Sequence, residues 1–410
     1  MMQYDVIIIG GGPAGLFTAI QCAMSGLQVA LLEKNKSFGK KLLLTGAGKC
    51  NLTQDGDMGA FLHHYGTNSR FVKPCLYAFT NADFRKFLYN NNLSTVSVEN
   101  GKVFPQSMRA IDVLNVFEKA CRLNQVDMLT QTEVKHVSKD GELFVVNTER
   151  STFYCRSLVI STGGVTFPQT GSTGDGHIFA KKFNHKIRST KFALAPLAIK
   201  DFELSAFSGV SFENLAFTHW REGKKVGSYT GDVLITHRGL SGPGIMNHSR
   251  YMQKHDVINL NFLGGSAEDA KCRLIALFAA GGKKLVRSVI YELDLPKRLA
   301  DFLLRSAGVQ ADLKCAELTK AVRTKLLILL SEYQMEIKSV GSAQTAMVTA
   351  GGVSLADVSP KTMESRKVEN LYFVGEILDV DGDTGGYNIQ VAVSMGYVAA
   401  AAIRKKPHEV

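Results

Sequence analysis

Tyr4-Asp5-Val6-Ile7-Ile8-Ile9-Gly10-Gly11-Gly12-Pro13-Ala14-Gly15 opens the chain, and Gln28-Val29-Ala30-Leu31-Leu32-Glu33 follows one helix length later. A β-branched run, a glycine-rich turn, an apolar helical run to Gly26 and a second apolar strand predict a βαβ unit. Gly10, Gly12 and Gly15 fit the G-x-G-x-x-G pattern. Its first glycine makes the tight turn, its second lets backbone approach a pyrophosphate, and its third allows close helix–strand packing. The helix N-terminus offers N–H groups and a positive dipole end to phosphates. Glu33 ends the second strand, where a carboxylate accepts hydrogen bonds from ribose hydroxyls. An acid rather than a base there favours an unphosphorylated ribose, hence FAD or NAD rather than NADP. Glycine-rich turns alone are weak evidence, but here strand, helix and acid stand at the right offsets.

The last seventy residues return to the same theme. Leu371-Tyr372-Phe373-Val374-Gly375-Glu376 reads as a buried strand ending in Gly-Glu. Gly385-Gly386-Tyr387-Asn388-Ile389-Gln390 then opens an alanine-rich helix, which suits a second diphosphate or ring-edge contact. Asp379, Asp381 and Asp383 have a calcium-like spacing, but no bidentate glutamate closes a loop of the required length, so no metal is expected. Ser157-Leu158-Val159-Ile160-Ser161 is a further strand, expected beside the first. It ends in Thr162-Gly163-Gly164, and Gly171 to His177 then opens a helix with Asp175 or Ser172 as its cap. Between these blocks lies Gly46-Ala47-Gly48-Lys49-Cys50-Asn51, expected as a strand-to-loop passage after Leu42-Leu43-Leu44. Its small residues let backbone approach a flat ligand, Lys49 can neutralise phosphate and Asn51 can bond a ring edge.

The chain of 410 residues is too long for one ordinary domain. Residues 1–191 read as the first part of a nucleotide-binding domain and 351–410 as its second part. Residues 192–264 read as an inserted β-rich module, 265–335 as a helical subdomain, and 336–350 as the return through the β-rich module. Thr132 to Val137 and Leu143 to Val146 look like a hairpin appended to the nucleotide domain. His237 and Arg238, in a turn-rich stretch of the module, are the candidate catalytic side chains, set against the plainer reading of a loop histidine bonded to backbone.

Seven dispersed cysteines with no C-x-x-C exclude a zinc ribbon and a redox dithiol, and predict reduced thiols and a cytoplasmic location. The apolar run from Ile389 to Ile403 is too short and too interrupted to span a bilayer, so no membrane partner is expected. The net charge of +11 is compatible with nucleic acid, but its basic residues are spread out, which favours a solvated surface and a small-molecule substrate. The oligomeric state is left open.

Taken together, these blocks resemble the BaiN/YhiN-like flavoproteins, a group of bacterial FAD-dependent oxidoreductases. The likeness is carried by Gly10 to Gly15 with Glu33, Lys40 through Asn51, Thr162 to Gly164 with Gly171 to Gly176, Thr236 to Pro243, and Thr349 through Gln390. It implies an α/β fold: a Rossmann-like FAD-binding domain of the two-dinucleotide-binding type, interrupted by a β-barrel-like module carrying a small helical subdomain. The candidate cofactor set is Gly10, Gly12, Pro13, Ala14, Gly15, Glu33, Lys34, Lys40, Gly48, Lys49, Cys50, Asn51, the backbone at Val134, Thr162, Gly163, Gly164, Gly375, Glu376, Gly386, Asn388, Ile389 and Gln390. Lys49 stands where the family often has arginine, and Arg238 where it often has an aromatic residue. The expected reaction is an NAD(P)H-driven reduction of a small organic substrate, with NAD(P)H as a transient reductant. An amine or aminoketone oxidase using O2 and an RNA-acting flavoprotein are the alternatives. More distantly, the Thr-Gly-Gly block is similar to fumarate-reductase-type flavoproteins, and the whole domain to flavoproteins that modify tRNA uridines.

Overall fold

In the computed structural model the described residues are 2–406. The chain divides into two compact units, Met1–Ala193 with Ser342–Val410, and Leu194–Gly341. The first unit uses, in chain order, β1 (Met2–Ile9), α1 (Pro13–Ala23), β2 (Val29–Leu32), α2 (Ser69–Ala78), β3 (Asp127–Leu129), β4 (Val134–Asp140), β5 (Leu143–Thr148), β6 (Thr152–Ile160), α3 (Asp175–Lys182), β7 (Ile187–Ala193), β8 (Val348–Val353), β9 (Leu371–Phe373) and α4 (Tyr387–Ile403). β1 lies between β2 and β6, parallel to both, with Ile9 level with Leu32 on one side and Ile160 on the other. β3 adds beyond β2 and β9 beside β6, again parallel.

Parallel strands covered on both faces read as unbroken apolar runs, which is why Val6 to Ile9 and Leu158 to Ile160 lack polar alternation. These side chains and Phe17, Phe117, Tyr372 and Phe373 are buried in one core. Each of the aliphatic and phenylalanine side chains among them contributes about 1.5–3 kcal/mol of transfer free energy. α1 and α4 touch closely: a Cβ on Gly396 would lie 2.9 Å from the Ala14 carbonyl. The β4–β5 hairpin is not an appendage, as expected, but part of the main sheet, because β5 pairs antiparallel with β6.

The second unit is a closed six-stranded barrel of Leu197–Ile199, Gly239–Ser241, Lys224–Ile235, Ser211–Arg221, Val257–Asn261 and Tyr333–Val340. Four helices, Ala267–Gly281, Val286–Tyr291, Lys297–Ala307 and Lys320–Ser331, stand between its last two strands. Tyr333 to Met335, expected in the helical subdomain, belong to the closing barrel strand. The expected return through the barrel to residue 350 is also too long. The second unit ends at Gly341, and β8 pairs with β7 in the first unit. Leu42–Gly48 is helical turn rather than strand, and α3 begins after Gly174 without a side-chain cap, so neither Ser172 nor Asp175 caps it.

Candidate functional site

At the end of β1, Gly10 takes φ +107, and a Cβ there would stand 2.6 Å from the Ser161 carbonyl. Only glycine fits both demands. Ser161 holds this crossing point, its hydroxyl donating to Ile9 O at 2.9 Å and Gly10 O at 2.8 Å. Gly15 packs α1 onto the same spot, leaving no room for a Cβ beside Gly10 O. Gly12 is different. Its φ of −81 suits any residue, and a Cβ there would meet nothing within 4 Å. α1 starts at Pro13 directly after it, with no side-chain cap on its first-turn N–H groups. Such a helix end carries about half a positive charge and unsatisfied donors.

Glu33 is buried just past β2. Its Oε2 accepts from Gly11 N at 2.9 Å, and its Oε1 accepts from Asn35 N at 2.8 Å and Asn35 Nδ2 at 2.6 Å. Lys40 donates to Asn35 Oδ1 at 3.0 Å. Lys34, expected on the cofactor, instead pairs with Asp175 and Thr173 and draws the 170–175 loop toward the end of β2. Val134 begins β4 with its side chain in the core, so only its backbone is available to a ligand.

The loop before Asn51 is strained. Gly46, Ala47, Gly48 and Cys50 all have positive φ, and two of them carry a Cβ. It closes through Lys49 N to Gly46 O at 3.1 Å and Cys50 N to Thr45 O at 2.9 Å. Burial pushes the Cys50 thiol up to about 12, which disfavours thiolate chemistry. The Lys49 side chain is exposed on this loop.

A second uncapped helix end belongs to α4, entered through Gly386 at φ +95. With its amide turned to satisfy both ends, Asn51 accepts from Gly386 N at 3.3 Å and donates to Thr53 O at 3.1 Å. Asn388 shapes the approach by accepting from Gly382 N at 2.8 Å and donating to Gly382 O at 3.0 Å. Tyr65 donates to Tyr387 O at 2.9 Å, and His64 stacks on the Tyr387 ring at 4.1 Å. Ile389 is buried. Gln390 requires a correction. It is fully buried, accepts from Thr53 Oγ1 at 2.7 Å, and donates to Phe79 O and Ser394 Oγ at 3.2 and 3.1 Å. It is a cross-tie, with no polar atom facing a ligand.

Thr162 carries a buried hydroxyl oxygen with no partner, and it leads into Gly163 at φ +74 and Gly164. Gly375 lies against α1, a Cβ there being 2.9 Å from that of Ala14. Glu376, expected on the cofactor, is instead held by Lys41, Thr166 and the Thr349 N–H. Asp379 accepts from Gly351 N at 2.9 Å and pairs with Arg188 at 3.2 Å. Among the described residues no cluster of three or more His, Cys, Asp or Glu could hold a metal. In the second unit, His237 and Arg238 are exposed on the turn closed by Thr236 N to Gly239 O at 2.8 Å.

These residues fit a dinucleotide. Two uncapped helix N-termini, open space at Gly12, a carboxylate past β2 and an unpaired Thr162 hydroxyl are the donors and acceptors a diphosphate and ribose require. The model of the HI0933-like protein Rossmann domain matches residues 4–402. The chain belongs to this family. It is 30% identical over 413 residues to a ribosomal RNA dihydrouridine synthase of Haemophilus influenzae, covering 99% of this chain and all of that one. It is also 30% identical to a 3-dehydro-bile acid delta(4,6)-reductase of Clostridium scindens, over 98% of this chain and 99% of the relative. Among solved structures, the 3-ketosteroid-delta4-(5alpha)-dehydrogenase of Rhodococcus jostii shares the fold, with TM-score 0.53 at 12% identity, covering 99% of this chain and 97% of that one. This HI0933-like protein is an FAD-dependent oxidoreductase. No helix among its described residues is long and apolar enough to cross a membrane.

Lys41 is the site residue that sequence reasoning missed. Lys40 beside it drew the attention, and nothing in the local pattern marks a partner 335 positions away.

Proposed function

We propose that this protein reduces a carbon–carbon double bond conjugated to a carbonyl, with NAD(P)H as the hydride source and FAD as the relay. The observation that carries the reading is the open helix N-terminus at Gly12, in a chain similar over nearly its whole length to a ribosomal RNA dihydrouridine synthase and to a 3-dehydro-bile acid delta(4,6)-reductase. In a uracil ring the reduced bond adjoins a ring carbonyl, and in a 3-oxo steroid the delta-4 bond adjoins the ketone. In both, the hydride given up by NAD(P)H would end on the β-carbon and a proton taken from solvent on the α-carbon, with NAD(P)+ released. Bound flavin supplies the two-electron hydride exchange. The α1 and α4 N-termini bind the diphosphate and the flavin edge, Glu33 and the Val134 backbone hold the adenosine end, and the Thr162–Gly164 and Gly46–Asn51 backbones enclose the ring. The second unit is a barrel with helices, so NAD(P)H docks transiently on the flavin rather than in a nucleotide fold of its own. Seven unpaired cysteines suit a reducing, cytoplasmic setting.

Anaerobic mixing with NADH or NADPH will bleach the flavin absorbance, and a conjugated enone or a uridine substrate will restore it. If neither nicotinamide bleaches the protein, while an amine does so and releases hydrogen peroxide in air, the reading gives way to an amine oxidase.

A specific feature favours RNA as the carrier of the reduced ring. Residues 58–82 contain no Asp or Glu, and Arg70, Lys73 and Tyr77 lie exposed along one face of α2 at i, i+3 and i+7 spacing. The Lys73 ammonium sits 5.7 Å from the centre of the Tyr77 ring, so cation and aromatic platform lie together, as single-stranded nucleic acid requires. Replacing Arg70 and Lys73 together with alanine will lower the slope of log affinity against log salt for a uridine-containing ribosomal RNA fragment by roughly 1.4. An unchanged slope, or binding insensitive to salt, assigns the reaction to a small molecule instead.

A further inference from the structure

Lys41 sits at a four-way junction within the first unit. Its Nζ donates to Glu376 Oε2 at 2.8 Å, to Glu376 Oε1 at 3.0 Å and to Thr166 Oγ1 at 2.7 Å. Glu376 Oε1 also accepts from Thr349 N at 2.9 Å and Thr166 Oγ1 at 3.2 Å, and Thr349 Oγ1 accepts from Val165 N at 2.8 Å. The network therefore joins the loop after Glu33, the segment after β6, the start of β8 and the turn after β9. Both charged side chains are mostly shielded, at 23% and 22% exposure. Charge-assisted bonds in such surroundings are stronger than the same bonds in water.

The junction also holds a strained residue. Phe167 adopts φ 53, ψ 58, an unusual conformation for a bulky side chain, and its N–H donates to Ala343 O at 2.6 Å. The Lys41 ammonium lies 6.0 Å from the centre of its ring. Strain of this kind persists where the surroundings over-determine the backbone, and it clusters at ligand clamps.

We propose that Lys41 is a positioning residue of the flavin site. Held on Glu376 and Thr166, it fixes the Thr162–Phe167 segment and the Gly375–Glu376 turn in the shape that grips the cofactor, and keeps the Glu376 charge neutralised beside it. The inference rests on the FAD-binding reading of the site. It also reassigns Glu376, from a direct cofactor ligand to the anchor of Lys41.

The test compares Lys41→Met, Lys41→Arg and the double variant Lys41→Met/Glu376→Gln with the parent, reading FAD affinity of the apoprotein, flavin midpoint potential and apoprotein melting. Lys41→Met will weaken FAD binding about tenfold, because the two segments that grip the cofactor are no longer held in place by the charge-assisted clasp and must be ordered on binding. It will also shift the midpoint potential to more negative values, because an unpaired Glu376 carboxylate opposes addition of electrons. The double variant will recover the potential without recovering the affinity, and Lys41→Arg will keep both. Parent-like affinity and potential in Lys41→Met overturn the proposal, as does a loss confined to apoprotein melting. Should Lys41→Met fail to fold, Lys41→Arg and Glu376→Gln alone decide it: a parent-like potential in the first and a shifted one in the second support the clasp, and any other pattern overturns it. A parent protein that binds no FAD would sink the flavin reading itself, a separate result from any of these.

Discussion

Gly12→Asp will leave the apoprotein at least as stable as the parent and abolish tight FAD binding. The two effects separate because of where Gly12 stands. Its φ of −81 and ψ of −179 are open to any residue, and a Cβ there meets no protein atom within 4 Å. It is also the N-cap of α1, where no side chain now accepts from the first-turn N–H groups. Aspartate is among the best residues for that position, and its charge suits the helix dipole, so the apoprotein gains about 0.5 kcal/mol. The same carboxylate occupies the helix end that a diphosphate needs. Steric filling alone costs about 3 kcal/mol, or roughly 100-fold in affinity, and repulsion between like charges adds to it. Flavin titration and apoprotein melting check both halves. Retention of FAD by Gly12→Asp would mean that the diphosphate lies elsewhere. Gly10→Ala is the contrasting control: with φ +107 and backbone at 2.6 Å, it will lower the melting temperature as well as FAD binding.

The difference between these two glycines shows what the sequence can and cannot disclose. The turn, α1 and Glu33 were legible because their geometry is local: a strand, three glycines and an acid at fixed offsets have few other folded solutions. The Gly-Gly-Tyr-Asn helix start was legible for the same reason, and α4 begins at Tyr387. What could not be read were the partnerships between distant segments. Gln390 looked like a ligand from its motif, yet its amide is consumed by Thr53 and Phe79, more than 300 positions earlier. Lys34, Lys40 and Lys41 are cations of one type in one short stretch, and only the fold sends them to Asp175, Asn35 and Glu376 respectively. Leu197–Ile199 and Gly239–Ser241 are three-residue strands, too short for an alternating pattern, so the closure of the barrel could not be read. Tyr333–Val340 follows a helix so directly that its first residues read as helical.

In the second unit the largest stability effect is expected at Asp256. Burial alone would raise its pKa, but hydrogen bonds from Arg221, His219 and the Gln253 backbone outweigh that and hold it below the usual aspartate range. The Arg221 guanidinium grips both oxygens at 2.8 Å, His219 Nε2 lies 2.7 Å from Oδ2, and Gln253 N donates to Oδ2 at 2.9 Å. His219 is wholly inside, following Leu215 and Phe217 on the inward face of its strand, and its Nδ1 has no partner. Nε2 therefore carries the proton given to Asp256, and the ring has no second place to turn. Asp256→Asn puts an amide N–H against these donors and leaves Arg221 without its counter-charge. Breaking one side of a buried pair costs about 3–5 kcal/mol, and partial exposure of Arg221 places the loss near the lower end. That corresponds to a fall of about 10 °C in the melting of this unit. The sign with pH follows from the lowered pKa: the contribution is present above the ordinary aspartate value and is lost as pH falls through the depressed one. The parent will thus lose stability steeply below about pH 4, whereas the part of that acid slope owed to Asp256 will be missing from Asp256→Asn. Equal acid slopes in the two proteins, or a variant that melts with the parent at neutral pH, would show that this pair does not hold the barrel together.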